Sequence, residues 1–513
     1  MNKKSIYYKL LTVLLCTTIL SSCGSKATVD NTAAAADTTV STAISEMVTY
    51  DENDYYTEWE NETPNYISLT GTSATLKGIG VTIKESNISI TAAGVYVISG
   101  TLDDGQIIVD VKDEETVKLV LNGAVITCSD NSPIYSKSAG KTIISLQEGS
   151  QNTITDGKEY ASTDDPNAAI FSQDDLTING TGNLTVRGNY NDGITSKDDL
   201  KITGGNIKIY SADDGLTGKD LVAVKAGTIA IEAAGDGIKA STDISISGGT
   251  FKIDSSDDAV HSSKNVTITG GDLSIATSDD AVHGDETIIV KGGKINITKS
   301  YEGLESNIIT ISGGEIHVVA SDDGINTAAV TTETGAVTDK AAKNGEPGQS
   351  TGTSKLNING GYITVDASGD GLDSNGAIIM TSGTVIVSGP TDNRNGALDY
   401  DGTFVISGGL LMSAGSSGIA QATSEESTQN STIMTYTEMQ KAGTVVNLKD
   451  SKGNSVGTFT PTKDYQSVVI SCSEIVKGET YSLYSGETSV DFTITSSVTW
   501  LNETGVTTGN TSN

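Results

Sequence analysis

Apolar residues recur in pairs separated by one residue, and the pairs return at fixed places along the chain. One series is Ile207/Ile209, Ile229/Ile231, Phe251/Ile253, Leu273/Ile275, Ile295/Ile297, Ile316/Val318, Ile363/Val365 and Val385/Val387. A second series precedes it: Leu200/Ile202, Val222/Val224, Ile244/Ile246, Val266/Ile268, Ile288/Val290, Ile309/Ile311, Leu356/Ile358, Ile378/Met380 and Phe404/Ile406. Alternation with period 2 predicts strands, not helices. A third, single apolar position follows at Ile194, Leu216, Ile238, Val260, Val282, Leu304, Ile325, Leu372, Leu398 and Ile419. Between the first two strands sits a turn, usually Gly-Gly, as in "ITGGN", "ISGGT" and "VKGGK". Glycine supplies the positive-φ conformations that such tight turns need.

The pattern repeats about every 22 residues, so it predicts an all-β solenoid with three short strands per coil. A propeller needs about 40 residues per blade and a calcium-binding nonapeptide roll a period near nine, and neither fits. In a parallel β-helix each strand pairs with its copy about 4.8 Å along the axis, and the inward Ile, Val and Leu columns stack. The regular coils run over residues 166–420, interrupted by an insertion at 327–354 whose composition suggests a loose loop. Residues 48–165 are strand-rich but less regular, and are expected to form an N-terminal cap and irregular first coils. Residues 421–500 lose the period and are expected to form a small C-terminal β unit, ahead of a tail at 501–513. The open ends of a solenoid expose unpaired strand edges, which is why caps are expected.

The first residues change the picture of where the chain works. Lys3, Lys4 and Lys9 precede the short apolar stretch "LLTVLLCTTIL", and "LSSCG" follows. This reads as an export signal over residues 1–23 that is too short for a comfortable membrane span. The "LSSCG" stretch resembles a bacterial lipobox, which implies lipidation of Cys23. Residues 24–47 read as a disordered linker. The protein is therefore expected to be exported and lipid-anchored at the bacterial cell surface or membrane, as a monomer. Cys16 would leave with the signal, so Cys128 and Cys472 remain, and two isolated thiols are expected rather than a disulfide framework.

Charge narrows the partners. The 513 residues carry a formal net charge of −33, so nucleic acid and an anionic membrane face are excluded as partners. Cations, neutral sugars and acidic polymers bridged by cations remain.

The stretches "NISITAAGVYVISGTLDDGQIIVDV", "VKLVLNGAVI" and "IISLQEGSQNTITDG", followed by the "DDGI" and "GG" coils, resemble a family of secreted bacterial carbohydrate-binding β-helix proteins. That family is related to pectate-lyase-type polysaccharide lyases. The resemblance covers nearly all of residues 48–490. It implies a right-handed parallel β-helix, binding of cellulose and acidic plant sugars, and calcium in the helix.

Carboxylates mark one corner of every coil. Asp214, Asp236, Asp258, Asp280 and Glu302 follow one another at 22 residues, and Asp323 at 21 more. Doubled acids occur at Asp213/Asp214, Asp257/Asp258, Asp279/Asp280 and Asp322/Asp323, while Asp192, Asp236 and Asp370 are single. Two unit charges about 5 Å apart repel by roughly 1 kcal/mol in water and about 3 kcal/mol at an effective dielectric near 20. Calcium between the rungs would relieve this, because it takes six to eight oxygens in loose geometry. These eleven aspartates are the candidate calcium ligands. Asp before Gly is also ordinary turn chemistry, and the two readings are compatible.

The residue after each third-strand position should face outward: Thr195, Thr217, Lys239, His261, His283, Glu305, Asn326, Asp373 and Asp399. A lyase acting on uronates needs a base to remove the proton beside the carboxylate, and Lys239 is the candidate. The plainer reading of Lys239 is a solvated side chain easing the local negative charge. His261 and His283, stacked one coil apart, could be metal ligands, but the plainer reading is stacked polar side chains on a solenoid face, and three histidines without a cysteine cluster argue against zinc. Aromatic residues are scattered through the repeat, so calcium bridging to uronates suits the chain better than a stacking platform. The aromatic-rich "YDENDYYTEW", Tyr50 to Trp59, reads as a cap on the first coil. The leading function is calcium-mediated polysaccharide binding. A weak lyase using Lys239 and a calcium-stiffened surface rod or adhesin are the alternatives.

Overall fold

The computed structural model describes residues 48–112, 115–161, 166–328 and 353–509. They form a parallel β-solenoid of about 13 turns with a roughly 23-residue period and no α-helix among the described residues. The regular coils keep 22, but 24 residues separate Ala168 from its partner Asp192, and 26 separate Leu372 from Leu398. Within one coil, strand Asp199–Ile202 leads through the glycine turn to Asn206–Ser211, and an acid turn leads on to Leu216–Gly218. Each pairs in parallel with the equivalent strand of the next coil, as in Ile207↔Ile229 and Ile209↔Ile231. Parallel stacking already begins at Asn65–Gly71 on Gly94–Leu102 and Thr116–Thr127, ahead of the legible repeat.

The apolar columns form one continuous core. Ile194, Leu216, Ile238, Val260, Val282, Leu304, Ile325, Leu372 and Leu398 are each at most 1% exposed. Ile419 departs from the expected column, at 37% exposure. The last coil strand, Leu410–Gly415, pairs antiparallel with Tyr465–Ser471, and the chain at 416–430 has left the strand path. In the glycine turns the second residue carries the constraint, with φ of +98° at both Gly249 and Gly271.

Strands Ser431–Gln440 and Tyr465–Ser471 continue the solenoid sheet antiparallel, and so pair the edge left open by the last coil. A four-stranded sheet of Val446–Asp450, Ser455–Phe459, Thr480–Ser485 and Thr488–Thr493 packs beside them. Its core is separate and includes Met412, Tyr436, Tyr465, Tyr481 and Phe492.

The aromatic segment lies elsewhere than expected. Its two 3-10 turns, Glu52–Tyr55 and Trp59–Asn61, run along the flank of several coils as a strap. Trp59 packs with Val95, Val97 and Val120 and donates to Gln147 Oε1 at 2.6 Å. Fully buried Asp54 accepts from Lys141 Nζ at 2.9 Å and Thr177 Oγ1 at 2.6 Å. Its carbonyl accepts from the Thr203 hydroxyl, and Lys225 donates to Tyr55 Oη at 2.7 Å. The polar side chains of this flank thus find partners along the coils, so the segment is drawn down the side instead of over the end.

Cys128 and Cys472 are free and buried. Burial pushes their thiols up to about 11 and about 12. Since the thiolate is the reactive form, neither is expected to be alkylated by iodoacetamide in the native protein at neutral pH, and both should be in guanidinium. Mass spectrometry reads the result, and prompt native labelling of either would contradict this packing.

Candidate functional site

Strand register builds the polar column directly. Thr195↔Thr217, Thr217↔Lys239, Lys239↔His261, His261↔His283, His283↔Glu305, Glu305↔Asn326, Asn326↔Asp373 and Asp373↔Asp399 are successive partners. Thr195 and Asn326 are buried instead of outward. Each turns its polar end to a ladder acid: Thr195 Oγ1 donates to Asp192 Oδ2 at 2.9 Å and Asn326 Nδ2 to Glu302 Oε1 at 3.2 Å.

The ladder acids have a structural role of their own. The amide of Asp236 donates to Asp214 Oδ1 at 2.8 Å, that of Asp258 to Asp236 at 3.0 Å, that of Asp280 to Asp258 at 2.9 Å, and that of Glu302 to Asp280 at 3.1 Å. Asp370 and Gly396 donate in the same way to Asp323 and Asp370. Each acid's own carbonyl accepts from the preceding coil, as Gly215 to Asp236 at 2.8 Å and Gly237 to Asp258 at 2.9 Å. One carboxylate oxygen and the carbonyl are therefore spent on joining coils. In each doubled pair the second acid is the rung, while Asp257 and Asp279 are exposed and Asp213 and Asp322 half-buried at the rim.

The second oxygen of each rung meets the column. Lys239 Nζ lies 3.1 Å from Asp214 Oδ2 and 2.8 Å from Asp236 Oδ2. His261 Nδ1 lies 3.3 Å from Asp236 Oδ2 and 3.5 Å from Asp258 Oδ2. His283 Nδ1 lies 3.4 Å from each of Asp258 Oδ2, Asp280 Oδ2 and Glu305 Oε2. Cationic side chains and carboxylates alternate along the axis like the teeth of a zip. Burial disfavours the charge on Lys239, but the hydrogen bond to Asp236 and the charge of Asp214 outweigh it and raise the Lys239 pKa. A lyase base must shed its proton near neutral pH. Held between two carboxylates, Lys239 is placed to keep it, so the geometry gives the lyase alternative no support.

Beyond His283 the compensation stops. Burial, reinforced by the charges of Glu305, Asp280 and Asp323, pushes Glu302 up to about 9. Burial likewise raises Asp323 to about 6 and Asp370 to about 7, and raises Asp373 and Asp399. At the other end Asp192 is pushed up to about 7 by burial and by Asp214. The central rungs that calcium was expected to separate have cationic partners from the chain itself, although burial still raises Asp214 and Asp258 and, with the neighbouring acids, lifts Asp279 to about 6. Among the described residues, the rungs with no cationic partner lie at the two ends.

These ends suit a hard cation. Asp192, Asp213 and Asp214 each bring a carboxylate oxygen within 4.8 Å of the others. Glu302 Oε2 and Asn326 Oδ1 are buried acceptors with no hydrogen-bond partner. Oxygen-only ligands are what calcium takes, and Glu302 and Asn326 have lone pairs to spare. Asp192, in contrast, already accepts from Asn167 and Thr195 on one oxygen and from Asn191 and the Asp214 amide on the other. Asp257, Asp258 and Asp279 also converge, although Asp258 is shared with the two histidines. Sequence reasoning placed Glu302 on the ladder and Glu305 and Asn326 in the polar column but did not count them among the cation ligands. Their period, Glu302 after Asp280 and Glu305 and Asn326 after His283, was the available signal.

A family model described as carbohydrate-binding domain-containing protein matches residues 84–345 and 274–396, over half of the chain. The chain belongs to this family. Carbohydrate binding is accordingly the function class of the solenoid, and the matched residues include the acid ladder and the polar column. A carbohydrate-binding domain-containing protein of Acetivibrio thermocellus is 48% identical over 134 residues. That match covers 25% of this chain and 47% of the relative, so it spans about half of the relative's length. A solved structure described as the polysaccharide lyase-like protein from C. thermocellum, gadolinium derivative, is 38% identical. Its TM-score is 0.41, with 46% of this chain and 95% of that chain covered.

Proposed function

We propose that this family member is an exported surface lipoprotein that binds acidic, pectin-like polysaccharide through calcium held at the uncompensated acids of the column. The observation that carries the reading is the division of that column. Lys239, His261 and His283 neutralise its middle, whereas Asp323, Asp370, Asp373 and Asp399 are raised chiefly by burial, with further acids and, among the described residues, no cation beside them. A chain of net charge −33 repels a uronate polymer, so a bridging cation has to reverse the sign locally. Calcium has coordination positions enough for both partners. Asp322, Asp323 and Asp370, with Glu302 and Asn326, would hold it at one end, and Asp192, Asp213 and Asp214 at the other. Tyr301, 46% exposed and joined to Asp322 through its backbone carbonyl, offers a ring against which a sugar can stack. Cys23, the lipidation residue of this reading, lies outside the described residues.

Retention on insoluble polygalacturonate and on cellulose, with calcium and with chelator, tests the reading. Calcium-dependent retention on polygalacturonate is expected, lost in chelator while circular dichroism is unchanged, and lost in an Asp370→Asn/Asp373→Asn double variant. Equal retention on uronate with and without calcium would overturn the calcium bridge. Retention on cellulose alone would overturn the acidic specificity. Radiolabelled fatty acid should enter the wild type in a bacterial host and be absent from Cys23→Ser.

A further inference from the structure

The zip has one joint that an ion pair explains poorly. His283 Nδ1 is 3.4 Å from three separate carboxylate oxygens, of Asp258, Asp280 and Glu305. One N–H can be directed at only one of them, and charge-assisted N–H···O contacts close to about 2.7–2.9 Å when they are satisfied. His261 Nδ1 stands 3.5 Å from the same Asp258 oxygen. One ligand atom from each of Asp258, His261 and His283 lies within 4.8 Å of the others, and Asp280, His283 and Glu305 form a second such group sharing His283. Several potential ligands thus gather without closing on one another.

We propose that His261 Nδ1, His283 Nδ1 and Asp258 Oδ2, with Glu305 as a fourth ligand, form a site for a divalent transition metal of the zinc class. Ligands bound to tetrahedral zinc at 2.0–2.1 Å stand about 3.3 Å apart, close to the 3.4 Å and 3.5 Å separating Asp258 Oδ2 from the two nitrogens. Imidazole nitrogen with carboxylate oxygen is the donor set that zinc and its neighbours take and calcium does not. The far edge of one ring is already furnished: Asp285 Oδ1 is 3.4 Å from His283 Nε2, where a carboxylate favours the tautomer that leaves Nδ1 to ligate. The same oxygen is 3.9 Å from His261 Nε2, beyond hydrogen-bond reach, and a metal at His261 Nδ1 would replace its 3.3 Å contact with Asp236 Oδ2.

The fold brings these groups together before any ion arrives. His261 and His283 are register partners on adjacent coils, with rings stacked at 29° and centroids 5.0 Å apart, so a shared ion requires one ring to turn about its χ2 bond. Asp258 is pinned by the Asp280 amide through its other oxygen. The histidine side chains remain 26% and 21% exposed, so an ion can enter from solvent. Three histidines without a cysteine cluster argue against zinc as a spacing pattern, and the proposal rests instead on two of them stacking on one strand position beside buried carboxylates. The third, His317, bonds Glu315 and Thr364 elsewhere and serves as a control.

The test is equilibrium dialysis of the full chain against zinc alone, in the presence of excess calcium, with bound metal counted by mass spectrometry. Wild type and His317→Gln should retain one zinc per chain that calcium does not displace. A His261→Gln/His283→Gln double variant with unchanged circular dichroism should bind on the order of 100-fold more weakly. Cobalt in place of zinc should give the visible absorption of a tetrahedral ion in wild type and lose it in the variant. Zinc that calcium displaces, or that the folded double variant binds as wild type does, overturns the proposal. So does the absence of retained zinc. Where Glu305→Gln or Asp285→Asn folds better than the histidine variant, a clear loss of cobalt absorption supports the site, and an unchanged spectrum in both overturns it.

Discussion

Replacing Asp236 by alanine is expected to lower the stability of the solenoid by about 3–5 kcal/mol, the range for breaking a buried ion pair from one side. Asp236 is 1% exposed and joins three partners in two directions. Its Oδ1 accepts the Asp258 amide at 3.0 Å, and its Oδ2 stands 2.8 Å from Lys239 Nζ and 3.3 Å from His261 Nδ1. Alanine leaves a buried amide without an acceptor and removes half of the counter-charge from two cations. Asparagine keeps an oxygen for the amide and should recover about 1–2 kcal/mol of the loss. Urea unfolding followed by circular dichroism separates the two contributions. Equal midpoints for Asp236→Ala and Asp236→Asn would mean that the rung-to-rung hydrogen bond adds nothing. A loss below about 1 kcal/mol for alanine would remove the ladder from the account of stability.

The second large effect is a dependence on pH that calcium should cancel. In the folded chain Asp370 is raised to about 7 and Asp323 to about 6, chiefly by burial, and Asp373 and Asp399 are raised as well. Unfolded, such groups titrate near 3.9. Between these values the folded state holds more protons than the unfolded state, so stability falls as pH rises. The contribution is fully present below about 4 and lost as pH climbs through 6 to 7. The histidines act in the same direction. Burial opposes their charge, but the carboxylates of Asp258 and Asp280, each 3.4 Å from His283 Nδ1, raise His283 to about 11 in the metal-free chain, so its contribution is complete below about 6.5 and fades above. Asp236 is held low by His261 and Lys239 against the opposing effect of burial, and its contribution is lost only as pH falls below the ordinary carboxylate range. In chelator, the thermal midpoint should therefore drop from pH 5 to pH 8. Millimolar calcium should flatten or reverse the drop, because a bound cation replaces the protons that the acids otherwise need. A midpoint in chelator that rises over this interval would contradict the uncompensated acid cluster. A drop that calcium leaves untouched would place the ion elsewhere.

What could be read from the sequence follows from how a solenoid is built. A residue and its copy 22 positions later are neighbours, so the periodic Ile, Val and Leu columns, the glycine turns and the acid ladder are all visible as spacing. Ile419 was misjudged because it keeps the apparent spacing after the chain has turned away to pair with Tyr465–Ser471. The strap could not be read, since Asp54 meets Lys141, Thr177 and Thr203 through contacts that carry no period. The reasoning that stacked acids need a cation was physically sound. It missed that a lysine or histidine three positions after one rung also reaches the rung before, so for three successive coils the cation is a side chain. Thr195 and Asn326 were placed outside on alternation alone, but a buried carboxylate nearby outweighs alternation for a side chain that can hydrogen-bond to it.

The strap also decides where the rod is held. From Tyr50 and Tyr55 beside Lys225 it runs back to Trp59 beside Val95 and enters the first strand at Asn65. Whatever precedes residue 48 joins the rod on its flank, well down its length, and not at its tip. Tension applied there meets the Lys225 and Asp54 contacts before it reaches any coil, so the strap peels while the coils stay wound. With the anchor proposed at Cys23, a rod entered from its side would turn its length, and not its end, toward a passing polymer chain.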